Sequence, residues 1–166
     1  MNRLQEILKE SNNEAVTTRK MLAIVPDDKF DWKPHPKSMS IRQLAGHIAE
    51  LPSWIGMVLN TTELDFAENE YQAPDINFTE TLLALFETNH TGALAQLNAA
   101  KEETLDEEWV LRNGETIYSK TSKADFIRIT LSQIIHHRAQ LGVFLRLLDV
   151  PIPGSYGPSA DEVSFN

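Results

Sequence analysis

Four stretches of this chain, roughly Asn2 to Val25, Ile41 to Asn60, Thr79 to Ala100 and Ala124 to Leu148, carry apolar residues at spacings of three and four. That is the period of a helix burying one face. Four such helices, separated by breakers, can bury those faces only against one another, so the expected fold is all-α, a four-helix bundle. The 166 residues suit a single domain over 1–166, since a domain of that size buries roughly 70% of its unfolded surface without staples. With no cysteine in the chain, disulfides, thiolate metal sites and a cysteine nucleophile are all excluded.

The breakers set the boundaries. The first helix stops before Pro26 and gives way to DDKFDWKPHPKSMS, whose prolines forbid a continuing helix. Ser40 followed by Gln43 reads as a capping box and starts the second helix. Pro52, inside that helix, removes a backbone donor, so a kink is expected near His47. The polar segment Thr61 to Phe78, broken by Pro74, reads as a long crossover connection over one end of the bundle. Trp109–Arg112 and Glu115–Tyr118 flank Asn113-Gly114, the pair suited to a type I′ turn, so a small β-hairpin is expected between helices three and four. The proline- and glycine-rich tail DVPIPGSYGPSADEVSFN is expected to be extended and to pack back through Ile152 and Tyr156.

Charge and hydropathy narrow the partners. The chain carries 24 acidic and 15 basic residues, a net charge of -9, which repels a phosphate backbone and argues against nucleic acid. No window approaches a membrane span. The N-terminal MNRLQEILKESNNEA is a charged amphipathic helix and not a signal peptide, so the expected compartment is the cytoplasm. The Asn-x-Thr triplets at Asn60, Asn77 and Asn89 then carry no meaning as glycosylation sites.

Within the bundle, helical phase sorts the polar residues. In helix four the apolar arc runs through Ile127, Leu131, Ile134, Leu141, Phe144, Leu145 and Leu148. His137 falls inside it and Gln133, one turn earlier, near its edge. His136 points the other way, beside Ile129, Val143 and Leu147, a second stripe for which a homodimer interface is one explanation. In helix two His47 lies on the margin of an arc from Ile41 to Leu59, next to Leu51. Inward histidines on two helices are how bundles assemble metal sites, usually with an i, i+4 pair on one of them. Here that pair is Gln133 and His137, and an amide is a poor partner for zinc or nickel. The alternative is a pair of core-edge histidines bonded to backbone or to Gln133.

The other candidates weigh less. His90 lies near the apolar face of helix three, as a surface histidine or a substitute ligand, and His35 between two prolines belongs to an exposed loop. Arg138 reads as a cation near carboxylates or as a holder of an anionic ligand. Trp32, Trp54 and Trp109 read as core or core margin. Glu50 lies off the apolar arc of helix two, which leaves no clear general base beside the histidines.

LAGHIAE, IIHHRAQLGVFLRLL and VPIPGSYGPSADE, together with DWKPHPKSMSIRQLAGHIAEL, resemble the DinB-like superfamily, the DinB or YfiT-like proteins described as metal-dependent hydrolases, over nearly the whole chain. The resemblance implies a four-helix bundle, commonly dimeric, with three histidines around a divalent metal such as nickel or zinc. His47 matches the family's histidine of helix two and His137 the second histidine of its HHR motif. Gln133 stands where the family has its third. Relatives include thiol transferases using bacillithiol or mycothiol and a mycothiol-dependent maleylpyruvate isomerase, so a low-molecular-weight thiol is the implied cosubstrate. Three functions follow: a metal-dependent thiol S-transferase, a non-catalytic small-molecule-binding or stress-associated bundle that has lost the metal, or a metal-dependent hydrolase. The first draws on metal lowering the pKa of a bound thiol, the last on metal-bound hydroxide.

Overall fold

The structure, a computed structural model, describes residues 2–163. Its helices are α1 (Arg3–Ala23), α2 (Ile41–Asn60), α3 (Thr79–Ala99) and α4 (Lys123–Leu147). Between them lie the strands β1 (Glu63–Asp65), β2 (Glu108–Asn113) and β3 (Thr116–Ser122), and single 3-10 turns at Asp27–Lys29 and Glu102–Asp106. The last part of the expected tail, 164–166, lies outside the described residues.

Side-chain caps start α1, α2 and α4. Ser40 Oγ accepts from the Gln43 amide at 3.2 Å while Gln43 Oε1 accepts from the Ser40 amide at 2.9 Å, the reciprocal capping box. Asn2 and Gln5 do the same for α1. At the other end of α4, Val150 N–H reaches Leu145 O and Asp149 N–H reaches Arg146 O, a Schellman motif with Asp149 at the left-handed position, φ 58°. A Cβ is strained there, so Asp149→Gly is expected to raise stability by about 0.5–1 kcal/mol, read as an upward shift of the thermal midpoint.

The helix order is not up-and-down. α2 packs on both α3 and α4, and so does α1, so α1 and α2 sit across the bundle from each other. Asn89 on α3 donates to Ala49 O at 2.9 Å, and Asn60 on α2 donates to Gln96 Oε1 at 2.9 Å, so α2 and α3 run parallel. Arg128 pairs with Glu10 and Arg138 with Glu14, so α1 and α4 are parallel as well. Parallel neighbours need a returning connection, and residues 61–78 provide it. Ile76 from that segment is fully buried against α2. The close approach requires Gly46, where a Cβ would stand 3.1 Å from Ile76 Cδ1.

The expected hairpin is present but carries a third strand. β1 pairs parallel to β2, with Glu63 opposite Val110, and β2 pairs antiparallel to β3. The turn is shifted by one residue from the expected one. Asn113 is still paired, with Thr116, and Gly114 takes φ 58° as the first of the two loop residues, the φ pattern of type II′ and not type I′. Asp65 explains the choice: its Oδ1 accepts from Gly114 N at 2.8 Å and Ala67 N at 2.9 Å. Those two amides, with Arg112 beside them, hold its carboxyl below the usual carboxylate range.

The core forms two clusters. One gathers Phe30, Ile41, Leu44, Phe86, Leu141 and their neighbours, with Ile152 of the tail and Trp32 packed on its edge. The other gathers Leu51, Ile55, Leu97, Trp109, Phe126 and Leu131, with Trp54 at its margin. α2 continues through Pro52, which leaves the Ile48 carbonyl without its helical donor; next to it the Ala49 carbonyl also accepts from the Asn89 side-chain amide and the Glu50 carbonyl from the Ser53 hydroxyl at 2.8 Å. Among the described residues no helix is long and apolar enough to cross a membrane.

Candidate functional site

His47 on α2 and His137 on the antiparallel α4 face each other with ring centroids 5.0 Å apart at 70°. Both are half-buried, so the helical phase that turned His137 inward places it at the rim of the core and not inside it. His136 is exposed, as its phase requires. Burial pushes the His137 imidazole below its usual range, opposed by its bond to Gln140 and assisted by the neighbouring His47 and His136, which favours the neutral ring.

Two cavities open on either side of His47 and share it and Trp54 as common wall. One, about 350 Å³, lies between α2 and the returning segment and is lined by Met39, Gln43, Phe66, Tyr71 and Pro74. The other, about 230 Å³, is bounded by Leu111, Tyr118 and Ser119 of the sheet and by Phe126, Thr130 and Gln133 of α4. Gln133 thus shares a cavity with His47, and His47 is the residue that connects that cavity to His137. Apolar walls with a few convergent polar groups are what small-molecule sites look like.

An aromatic ladder supports this wall. Trp109, wholly buried, contacts Phe126 at 4.2 Å between centroids; Phe126 stacks on Trp54 at 6.4 Å; Trp54 meets the His47 edge at 6.4 Å. β2 therefore reaches the histidines through three rings.

Two residues set aside or passed over in the sequence belong here. Glu50, off the apolar arc, turns its Oε2 to within 3.7 Å of His47 Nδ1 and accepts the Tyr71 hydroxyl at 3.0 Å. Tyr71 is pushed up to about 12 by burial first and by the Glu50 charge second. Gln140 Oε1 lies 3.0 Å from His137 Nδ1. In both cases the partner is three residues further along the helix, a spacing that puts two side chains on one face and that was available in the sequence.

Other expectations are corrected. Arg138 is the cation beside a carboxylate that the sequence suggested and not a ligand holder: it is 2% exposed, ion-paired to Glu14 Oε2 at 2.8 Å, and bonded to Thr18 Oγ1, Ser155 Oγ and the Tyr156 hydroxyl. It points to α1 and the tail, away from His47. Tyr156 holds the tail through Arg138 while its ring stays exposed. His90 is buried and stacked on Phe86, on the wall of a small void with Ser11, Glu14 and Thr18, and does not join the pair. His35 is exposed and accepts from the Lys37 amide. Ile129, Val143 and Leu147 are exposed in the single chain.

Set against a divalent metal, the donor set is two imidazoles and one amide. Among the described residues no group of three or more histidine, aspartate, glutamate or cysteine side chains is placed to hold an ion. The two imidazoles do fit. Rings that each reach a common tetrahedral metal through a nitrogen at about 2.0–2.1 Å have centroids on the order of 5 Å apart, the separation seen here.

Comparison with known proteins places this geometry. The model of the DinB family matches residues 1–164. The uncharacterized protein YrdA of Bacillus subtilis strain 168 is 25% identical over 161 residues, 96% of this chain and 91% of YrdA. YfiT from Bacillus subtilis, described as a probable metal-dependent hydrolase with an unusual four-helix bundle topology, superposes with a TM-score of 0.66 at 13% identity over 89% of each chain. The mycothiol-dependent maleylpyruvate isomerase superposes with a TM-score of 0.61 at 12% identity, over 86% of this chain and 63% of that one. At these identities the two structures speak to the fold. The family match extends over nearly the whole sequence, and the chain belongs to the DinB family.

Proposed function

We propose that this protein holds a divalent metal, nickel or zinc, between His47 and His137, with Gln133 or solvent completing the site, and acts as a metal-dependent transferase on a low-molecular-weight thiol. The observation that carries the reading is the 5.0 Å separation of two rings presented from antiparallel helices, one of which, His47, lines two cavities large enough for small molecules. A bound metal of this kind supplies Lewis acidity that favours the thiolate form of a thiol. The chain's own residues do the rest: Trp54 and Phe126 exclude water from one side of His47, and Gln133 offers an amide to a ligand in the smaller cavity. The absence of cysteine in the chain is consistent with a thiol that arrives with the cosubstrate. Relatives named as a probable metal-dependent hydrolase and a mycothiol-dependent isomerase support the same chemistry, and a hydrolase on this site is the related alternative.

One observation favours a second reading, a non-catalytic small-molecule-binding bundle: an amide stands where a third imidazole is needed, and no other metal-binding side chain fills its place among the described residues. Calorimetric titration of tag-free protein with nickel and with zinc separates the two. The metal reading expects one equivalent bound by the parent and a loss on His137→Ala exceeding the roughly 10–100-fold cost of removing an outer-shell partner. If the parent binds neither ion and Gln133→His creates the site, the binding-module reading replaces it. The α4 stripe of Ile129, Val143 and Leu147, 41%, 59% and 60% exposed, supports a homodimer, and the cytoplasm is the proposed compartment.

A further inference from the structure

Each histidine of the pair turns Nδ1 towards an oxygen of its own helix, one within hydrogen-bond distance and one a carboxylate at ion-pair distance. On α4, Gln140 Oε1 lies 3.0 Å from His137 Nδ1. An amide oxygen can only accept, so this contact requires the proton on Nδ1 and leaves Nε2 with its lone pair. On α2, Glu50 Oε2 faces His47 Nδ1 at 3.7 Å. That carboxylate is itself held from the far side, because Tyr71 Oη donates to the same Oε2 at 3.0 Å. Tyr71 stands on the returning segment that walls the larger cavity. The Tyr71 hydroxyl points its proton at Glu50, and Glu50 presents negative charge to one nitrogen of His47 alone. Both rings therefore have the same polarity, Nδ1 towards an oxygen of their own helix.

We infer that Glu50, braced by Tyr71, and Gln140 are positioning residues that fix His47 and His137 in one common tautomer, Nδ1 protonated and Nε2 bare, before any ligand arrives. The physical reason is that a neutral imidazole in water divides its proton between its two nitrogens, and an acceptor fixed at one of them removes the choice. Preorganisation of this kind spares the reorientation that binding at Nε2 otherwise requires. It also gives the two sides of the site different sensitivities. The brace on His47 depends on the chain returning over α2, whereas the one on His137 is confined to α4. This inference rests on the proposed use of the pair as a ligand-binding site, but its first readout needs no metal.

The test is long-range 1H–15N correlation of the histidine rings in the metal-free, full-length protein at about pH 8, where imidazoles are neutral. Both His47 and His137 are expected as the Nδ1–H form. Glu50→Ala is expected to release His47 into a mixture with the Nε2–H form and leave His137 unchanged; Gln140→Ala is expected to do the converse. Glu50→Gln, which keeps an acceptor oxygen, is expected to hold His47 largely in place, and Tyr71→Phe to loosen it partly. A fold effect would move both rings together, so the reciprocal pattern separates positioning from general damage. Nickel titration then reads the consequence, a loss of roughly 10–100-fold for Glu50→Ala. The inference is overturned if His47 in the parent is Nε2–H, or if Glu50→Ala leaves its tautomer as it was. If the tautomers respond as stated and no metal binds, the metal reading fails and the positioning role stands.

Discussion

Arg138→Met is expected to cost about 3–5 kcal/mol of stability, the range for breaking a buried ion pair from one side. A surface arginine would cost less than about 0.5 kcal/mol, so the measurement decides between a surface and a buried role. The Arg138 side chain is 3% exposed and the Glu14 side chain 12%, so neither charge is restored to water when the other is removed. Arg138 also donates to Glu14 O, Thr18 Oγ1, Ser155 Oγ and the Tyr156 hydroxyl. One residue of α4 therefore ties α1 and the tail to the bundle. In a domain of this length the loss amounts to a fall of roughly 10 °C in thermal midpoint. Adding Glu14→Gln to Arg138→Met is expected to recover part of it, because the stranded carboxylate is then neutral. Equal midpoints for the single and the double variant would show that packing, and not charge, sets the cost.

Trp109→Ala is expected to cost a similar amount, about 3–5 kcal/mol, through the cavity left by a wholly buried indole. Trp109 fills the junction between the sheet and α4, against Phe126, and its Nε1–H donates to Thr61 Oγ1 at 3.0 Å. Trp109→Phe keeps a ring in place and removes one bond to Thr61, an exposed residue whose hydroxyl still donates to Met57 O, so its cost is expected to fall to about 1 kcal/mol. The alanine variant has a second consequence that an ordinary core cavity would lack. Phe126 stacks on Trp54 and Trp54 makes an edge contact with His47, so removing Trp109 loosens the wall between the two cavities. Denaturant titration reads the stability, and the linewidths of the His47 ring resonances read the loosening. Unchanged His47 resonances in a folded Trp109→Ala protein would show that the ladder does not transmit.

The helices were legible in the sequence because each signal was local. The Ser40–Gln43 capping box fixed α2 at Ile41, and the span to Asn60 is the one observed. Along α4, phase alone separated His137 from the exposed His136. β1 was not legible: three residues, Glu63–Asp65, have too little alternation to announce a strand and form one only because β2 offers an edge. The hairpin turn slipped by one residue because Asp65, distant in sequence, claims the Gly114 amide. Arg138 was legible as a cation near carboxylates, but its burial and its partner were not, since Glu14 lies on another helix. Glu50 and Gln140 differ from these. Their spacing of three from His47 and His137 was readable, but a search for apolar arcs passes over polar residues at the arc's edge. Gln133, which the helical phase put near the edge of the apolar arc of α4, lines the smaller cavity with His47.

The most direct test of the central claim is X-ray absorption at the nickel edge of the metal-loaded, tag-free protein, which counts imidazole ligands. Two imidazole nitrogens per nickel with the remaining donors oxygen, falling to one in His137→Ala, is the predicted result for a clamp built from His47 and His137 with an amide or solvent in the third position. A nickel with no imidazole ligand, or a protein that retains no nickel to measure, would contradict it.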